Sequence, residues 1–251
     1  MDQALTFPPD GYQSGGQAWD PSRADIVVLL SESKHCETQP IYYGSNYTFL
    51  VTLDGGPAGQ SFAVYKPARG EYPLYDFPSG TLYRREVATY IVDHLLGWDQ
   101  VPATVVADGK HGPGSVQLFI ESTAEGEIEI RELQRLVLLD HIINNADRKA
   151  EHLLISGDRK LWGIDHGLTF HVQPKLRTVL WHFAGRRIAG EDRADIERLA
   201  ASLTEKGDAD VARLGELISA AEYRALTTRA SRLAEGGRFP DPRYKPVPYR
   251  W

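Results

Sequence analysis

The stretch that decides the fold reads Asn144-Asn145-Ala146-Asp147-Arg148-Lys149-Ala150-Glu151-His152-Leu153-Leu154 and is answered by Ile164-Asp165-His166-Gly167-Leu168-Thr169-Phe170. Between the two lie Ile155-Ser156, a Gly157-Asp158-Arg159-Lys160 turn and Leu161-Trp162-Gly163. A polar loop carrying Asp147 thus leads into a tight hairpin whose second strand ends in Asp165. The hairpin sets the two carboxylates a fixed distance apart. Such a pair meets the needs of phosphoryl transfer, where one carboxylate orients or deprotonates the acceptor hydroxyl and another holds a divalent cation against the phosphates.

Working outward, the apolar run at 130–143 predicts a helix before the loop, and residues 191–235 carry amphipathic helical patterns after it. Upstream, residues 47–53 and 61–66 are rich in β-branched and aromatic side chains and flank Asp54-Gly55-Gly56-Pro57, the signature of an antiparallel hairpin. Residues 81–96 repeat apolar positions at helical period and stop at Gly97, and two more strands are expected at 103–107 and 115–120. Asp20-Pro21 predicts a helix start for the short stripe Ile26, Val27, Leu30. Residues 1–20 read as an irregular arm, 121–126 as a linker, and 240–251 as too rich in proline for helix. The expectation is an α+β fold of two lobes: 1–121, a small antiparallel sheet with one long helix, and 122–251, mainly helical.

The chain of 251 residues carries 28 Lys+Arg and 34 Asp+Glu, a net charge of −6. Hydrophobic residues at 42% and charged residues at 25% suit a packed globular core rather than a disordered or fibrous chain. The longest uninterrupted apolar run, 26–30, is far short of the roughly 20 residues of a membrane helix, and no signal-peptide pattern opens the chain. A cytoplasmic protein is expected. Cys36, the single cysteine, excludes an internal disulfide and a multi-thiolate zinc site. An acidic chain without a basic block argues against general nucleic-acid binding.

The upstream half supplies the remaining parts of a nucleotide site. Lys66 ends a predicted strand, and Glu86 lies beside the apolar stripe of the helix that follows, so the two can form the ion pair that positions ATP phosphates. Ser45 and Asn46, in the Gly44-Ser45-Asn46 turn, are candidates to cover those phosphates with backbone N–H groups, although the turn is poor in glycine. Leu118, Phe119, Ile120 and Glu121, where the sheet passes into the linker, are the candidate backbone contacts for adenine.

At these residues the chain resembles the phosphatidylinositol 3- and 4-kinase-like branch of the kinase superfamily, in its small bacterial members, over about residues 40–185. The resemblance rests mostly on Asn144 to Leu154 and Ile164 to Phe170. It implies a two-lobed kinase-like fold, ATP with Mg²⁺ or Mn²⁺ as cofactors, and transfer of the γ-phosphate to a hydroxyl of a small-molecule, lipid or protein acceptor. By position it implies Asp147 as the catalytic Asp, Asp165 as the metal-binding Asp, Lys66 as the phosphate-binding Lys and Glu86 as its helix partner. Two positions depart from the pattern. Lys149 stands where the lipid kinases have His and is a candidate to stabilise the transferring phosphoryl group; His152 stands where kinases have the Asn of a second metal site and is a candidate ligand better suited to Mn²⁺.

Singly, each residue has an ordinary reading: Lys66 a solvated strand end, Glu86 a helix-surface charge, Asp147-Arg148 a local salt bridge, Asp165-His166-Gly167 a turn. Their joint order raises them above that. Two alternatives accompany the kinase reading: a pseudokinase or AMP-transferring enzyme on the same fold, and a metal-dependent hydrolase built on His141, His152, His166 and His171 with Asp140, Asp147 and Asp165.

Overall fold

The computed structural model describes residues 19–41, 46–122, 128–205 and 207–241. Ser45, most of the N-terminal arm, the linker residues 123–127 and the end of the proline-rich tail lie outside the described residues.

A short helix, α1 (Ile26–Glu32), precedes a five-stranded sheet made of β1 (Lys34–Ile41), β2 (Thr48–Asp54), β3 (Gln60–Pro67), β4 (Thr104–Gly109) and β5 (Gly112–Leu118). The strand order is β1-β2-β3-β5-β4, and every neighbouring pair is antiparallel. Between β3 and β4 runs α2 (Leu82–Leu96), ended by Gly97 at φ 71°, a left-handed turn that glycine takes without a Cβ penalty. The rest of the chain is α3 (Ile130–Ile143), the two-stranded ribbon β6 (Leu153–Ile155) and β7 (Leu161–Gly163), then α4 (Gly190–Ser202), α5 (Ala209–Leu217) and α6 (Ala220–Gly236). Both expected hairpins of the sheet, the helix after the first of them and the helix at 130–143 are present. This is the expected α+β architecture, an antiparallel sheet with α2 followed by a mainly helical half.

One expected element starts elsewhere. The Asp20-Pro21 pair closes a turn instead of opening a helix: Asp20 Oδ1 accepts from the Ser22 amide at 2.8 Å and its hydroxyl at 2.7 Å, and α1 begins only after Asp25. An Asp side chain that folds back two residues competes with the helix it would otherwise cap.

Strand alternation places the first functional residue. In β3, Ser61, Ala63 and Tyr65 are buried on one face, and that face packs with Val51, Leu53, Val105, Val116, Leu118 and Leu30 of α1. Lys66, one residue on, therefore points to the opposite face of the sheet. It pairs in register with Ser115 of β5, next to Gly114, where a Cβ would lie 2.5 Å from the Lys66 carbonyl oxygen and 2.8 Å from the Pro67 Cα. Only a residue without a side chain lets β5 approach the Lys66 segment this closely.

Although α2 precedes most of the helical half in sequence, its apolar face is packed into the core of that half. Val87, Ala88, Ile91 and Leu96 share one cluster with Leu136, Leu139 and Ile142 of α3, with Ile196 and Leu199 of α4 and with Leu226 of α6. The buried Arg85 fastens the helix further: it donates to Glu222 of α6 at 2.6 Å and to the Thr169 carbonyl at 2.6 Å. The orientation of α2, and with it of Glu86, is thus set by the core of the opposite lobe.

Candidate active site

Lys66, Glu86 and Asp165 come from three separate elements and meet at one ammonium. Lys66 Nζ donates to Glu86 Oε1 at 2.5 Å and to Asp165 Oδ1 at 2.9 Å. Glu86, only 3% exposed, also accepts the backbone N–H of His166 at 2.8 Å through Oε2, so the helix carboxylate holds both the strand lysine and the loop that follows β7. Asp165 occupies a left-handed conformation, φ 59°, which a short polar side chain tolerates. That carboxylate is 47% exposed. Burial disfavours the charge on Lys66, but the Asp165 and Glu86 carboxylates outweigh it and hold the ammonium above its ordinary range. Desolvation likewise works against ionised Asp165, and Lys66 and then His152 overcome it, so its carboxyl is held below the ordinary range. Burial pushes Glu86 upward, opposed by Lys66.

The catalytic-loop candidate Asp147 sits after α3, whose end is a left-handed Asn144 at φ 56°. Its amide donates to Asn145 Oδ1 at 3.0 Å, leaving the carboxylate about one-third exposed. Lys149 does reach this carboxylate, with Nζ 3.3 Å from Asp147 Oδ2, and lies 3.9 Å from Glu151. Sequence reasoning gave no role to the residue between them, yet Arg148 is the hub of the loop. Fully buried, it donates through Nε and Nη2 to the two oxygens of Asp140 at 2.9 and 3.0 Å, and through Nη1 to the carbonyls of His152 at 3.3 Å and Ile164 at 3.0 Å. Its Nη2 is also 2.6 Å from His166 Nε2. A guanidinium only donates, so His166 Nε2 accepts and that ring carries its proton on Nδ1. Burial, then Arg148, holds His166 well below its ordinary range, neutral at pH 7. The one signal available beforehand was Asp140, a carboxylate that directly follows the apolar run Leu136-Val137-Leu138-Leu139 of α3 and so needs a buried partner.

His152 follows in a 3₁₀ turn (Ala150–His152) and is buried, with Nε2 3.2 Å from Asp165 Oδ2. Desolvation lowers its pKa against the pull of Asp165. The nucleotide candidates fare unevenly. The Leu118 and Phe119 amides donate to the carbonyls of Ala103 at 2.9 Å and Phe62 at 3.0 Å, so the sheet engages these two N–H groups. The Asn46 side chain accepts from the Tyr72 amide at 2.7 Å and thus ties Asn46 to the segment after β3. The Asp165 carboxylate, exposed and set opposite the lysine that would face phosphates, suits a hard divalent cation completed by phosphate oxygens. Among the described residues, no three His, Cys, Asp or Glu side chains are grouped to hold a metal by themselves. His141, part of the hydrolase alternative, packs edge-on against Trp181 at 6.0 Å and is lowered by burial to about 4.

No family model matches the sequence. It is 33% identical over 269 aligned positions to Protein Rv2133c of Mycobacterium tuberculosis, covering 90% of this chain and 95% of that protein. A shorter likeness, 33% identity over 108 positions, links 33% of this chain to 19% of the phosphatidylinositol 4-kinase gamma 4 of Oryza sativa subsp. japonica. Among solved structures, hydra Fam20 with sugar superposes with a TM-score of 0.53 at 14% identity, over 84% of this chain and 86% of that one, a likeness of fold. The Golgi casein kinase with Mn/ADP bound reaches 0.49 at 15% identity, over 84% of this chain and 74% of that one.

Proposed function

We propose that this chain, which belongs to the family of Protein Rv2133c, is an ATP- and divalent-cation-dependent phosphotransferase that acts on a hydroxyl acceptor. The observation that carries the reading is the single ammonium of Lys66, bonded at once to Glu86 at 2.5 Å and to Asp165 at 2.9 Å. A strand lysine braced by a buried helix glutamate and facing a loop aspartate is the arrangement that orients nucleotide phosphates. In this reading Asp165 holds Mg²⁺ or Mn²⁺, which would neutralise charge on the β- and γ-phosphates. Lys66 contacts phosphate oxygens, Glu86 keeps Lys66 in place, and Asp147 takes the proton as the acceptor oxygen bonds to the γ-phosphorus and the bond to the β-phosphate oxygen breaks, releasing ADP. Lys149, 3.3 Å from Asp147, adds positive charge where the transferring group passes. No described helix is long and apolar enough to cross a membrane.

The departure of His152 from the kinase pattern motivates a second reading, a nucleotide-binding protein that transfers AMP or transfers nothing. One experiment separates the readings: ATP with Mg²⁺ or Mn²⁺, followed by mass spectrometry of the products. Phosphotransfer predicts ADP and its loss in Asp165→Asn; pyrophosphate with AMP on an acceptor would establish AMP transfer, and unchanged ATP at saturating metal would rule out both activities for the acceptors supplied.

A further inference from the structure

The N-terminus of α2 is capped from a distance. Its N-cap residue, Thr81, carries a hydroxyl of the kind that accepts from first-turn amides, but that hydroxyl donates to the Pro78 carbonyl at 2.6 Å. The first turn holds no acidic side chain either. The Tyr83 amide donates instead to Glu71 Oε1 at 2.9 Å, twelve residues back in the chain. A carboxylate in this place also meets the positive end of the helix dipole. The arrangement carries a penalty: Glu71 Oε2 is buried with no hydrogen-bond partner among the described residues, a loss that a local cap by Thr81 would avoid.

The longer reach joins two parts of the fold. The main chain around Glu71 belongs to the sheet. It continues from Lys66 and Pro67 of β3 through the 3₁₀ turn Ala68–Gly70, where the Glu71 amide closes on the Ala68 carbonyl at 3.3 Å. On either side of Glu71, the Gly70 carbonyl accepts from the Tyr47 amide at 3.0 Å and the Tyr72 amide donates to Asn46 at 2.7 Å, which ties the segment to the residues leading into β2. A side chain at Gly70 would run into the Tyr47 Cβ. The helix that Glu71 grips has its apolar face in the core of the other half, with Leu136, Leu139, Ile196 and Leu226. Lys66 is therefore carried by the sheet and Glu86 by the helical half, and their ion pair crosses the boundary that Glu71 also crosses. Glu71 follows Lys66 closely in the chain, and Tyr83 lies about one helical turn before Glu86.

Resting on the phosphotransferase reading for what Lys66 does, we propose that Glu71 is a positioning residue. By capping α2 through the Tyr83 amide it registers the helix against the end of β3 and so holds Glu86 within reach of the Lys66 ammonium. It acts through that pair and not on the nucleotide itself. Its removal leaves α2 helical, because the helix is packed along its length, but frees the first turn from the sheet and loosens the grip on Lys66.

The test compares Glu71→Ala with Asp208→Ala, which removes a cap from a helix that carries no site residue. Asp208 Oδ1 accepts from the Asp210 and Val211 amides at 2.8 and 3.1 Å at the start of α5. Binding of Mg²⁺ with the non-hydrolysable ATP analogue AMP-PNP is measured by calorimetry, and amide exchange by NMR. In Glu71→Ala the Tyr83 amide should exchange faster and the analogue should bind more weakly, each by about 5-fold, the factor carried by one lost N-terminal cap. Asp208→Ala should lose a similar amount of melting temperature and bind as the wild type does. Unchanged affinity or unchanged Tyr83 exchange in Glu71→Ala would overturn the proposal. An equal loss of affinity in Asp208→Ala would also overturn it, since weakening any helix would then suffice. Glu71→Asp, which keeps the charge but retracts it by one methylene, carries the same expectations should the alanine variant fail to fold. Acetylation of Lys66 by acetic anhydride, followed by mass spectrometry, reads the ion pair without nucleotide; its rate should rise by the same ~5-fold factor in Glu71→Ala and stay unchanged in Asp208→Ala. If the wild type does not bind Mg²⁺ and AMP-PNP, the phosphotransferase reading fails, while the acetylation rate still decides whether Glu71 holds the pair.

Discussion

Replacing Arg148 by Met tests the reasoning about the catalytic loop most severely, because it removes a buried cation while keeping most of the side-chain volume. In the structure the Asp140 carboxylate, 1% exposed, accepts two bonds from Arg148 and one from Asn145 Nδ2 at 2.9 Å. Arg148→Met leaves that carboxylate buried with the amide alone, and breaking one side of a buried pair costs about 3–5 kcal/mol. The Ile164 carbonyl and His166 Nε2 lose their donor at the same time, so the figure is a lower bound. For a chain of this length about 1 kcal/mol corresponds to roughly 2 °C in melting temperature, which converts the loss to about 6–10 °C. Thermal and urea unfolding followed by circular dichroism would measure it. The double variant Asp140→Leu with Arg148→Met removes both charges and should recover at least half of the loss, since a buried pair contributes less than its separate halves suggest. A drop below about 2 °C for Arg148→Met would refute the claim that the pair is dry and structurally required.

Other outcomes follow from the same geometry. Lys66→Met should lower ATP turnover by at least ~100-fold, and Glu86→Gln should lower it less while weakening nucleotide binding, both read by ADP release under saturating metal. Asp93 is buried, accepts from the Val101 amide at 2.7 Å, and burial raises its pKa to about 7 from 3.8. Its proton is held more tightly in the folded than in the unfolded chain, so the wild type should lose stability as pH rises from about 4 to 7, by at most ~4 kcal/mol. Asp93→Asn should flatten that slope and melt higher than the wild type at pH 8; an identical pH profile would sink the point. Gly114→Ala should cost about 1–3 kcal/mol by pushing β5 off the Lys66 segment, seen as a melting shift of ~2–6 °C together with weaker nucleotide binding.

Much of the framework was readable because its cues are local. The helix at 130–143 follows from its apolar period, α2 from the same period and the Gly97 stop, and the β2–β3 hairpin from Asp54-Gly55-Gly56-Pro57. Strand β1 resists such reading: Lys34-His35-Cys36-Glu37-Thr38-Gln39 has no apolar alternation, since it is a largely exposed edge strand held by backbone bonds to β2. Of the candidate site, Lys66, Glu86 and Asp165 could be named from their order, and the structure does bring them together. What order could not convey is pairing at long range. Arg85 and Glu222 lie 137 residues apart, and Arg148 looks in sequence like a neighbour of Asp147 although its charge belongs to Asp140. The engaged Leu118 and Phe119 amides were equally hidden, because only the sheet register shows which backbone groups remain for a ligand.

The most direct test of the central claim is a crystal of this protein grown with Mn²⁺ and AMP-PNP, with anomalous scattering recorded at the manganese edge. The account predicts a manganese peak at a carboxylate oxygen of Asp165, with nucleotide phosphates turned toward Lys66. Nucleotide bound away from Lys66, or manganese bound without Asp165, would contradict it.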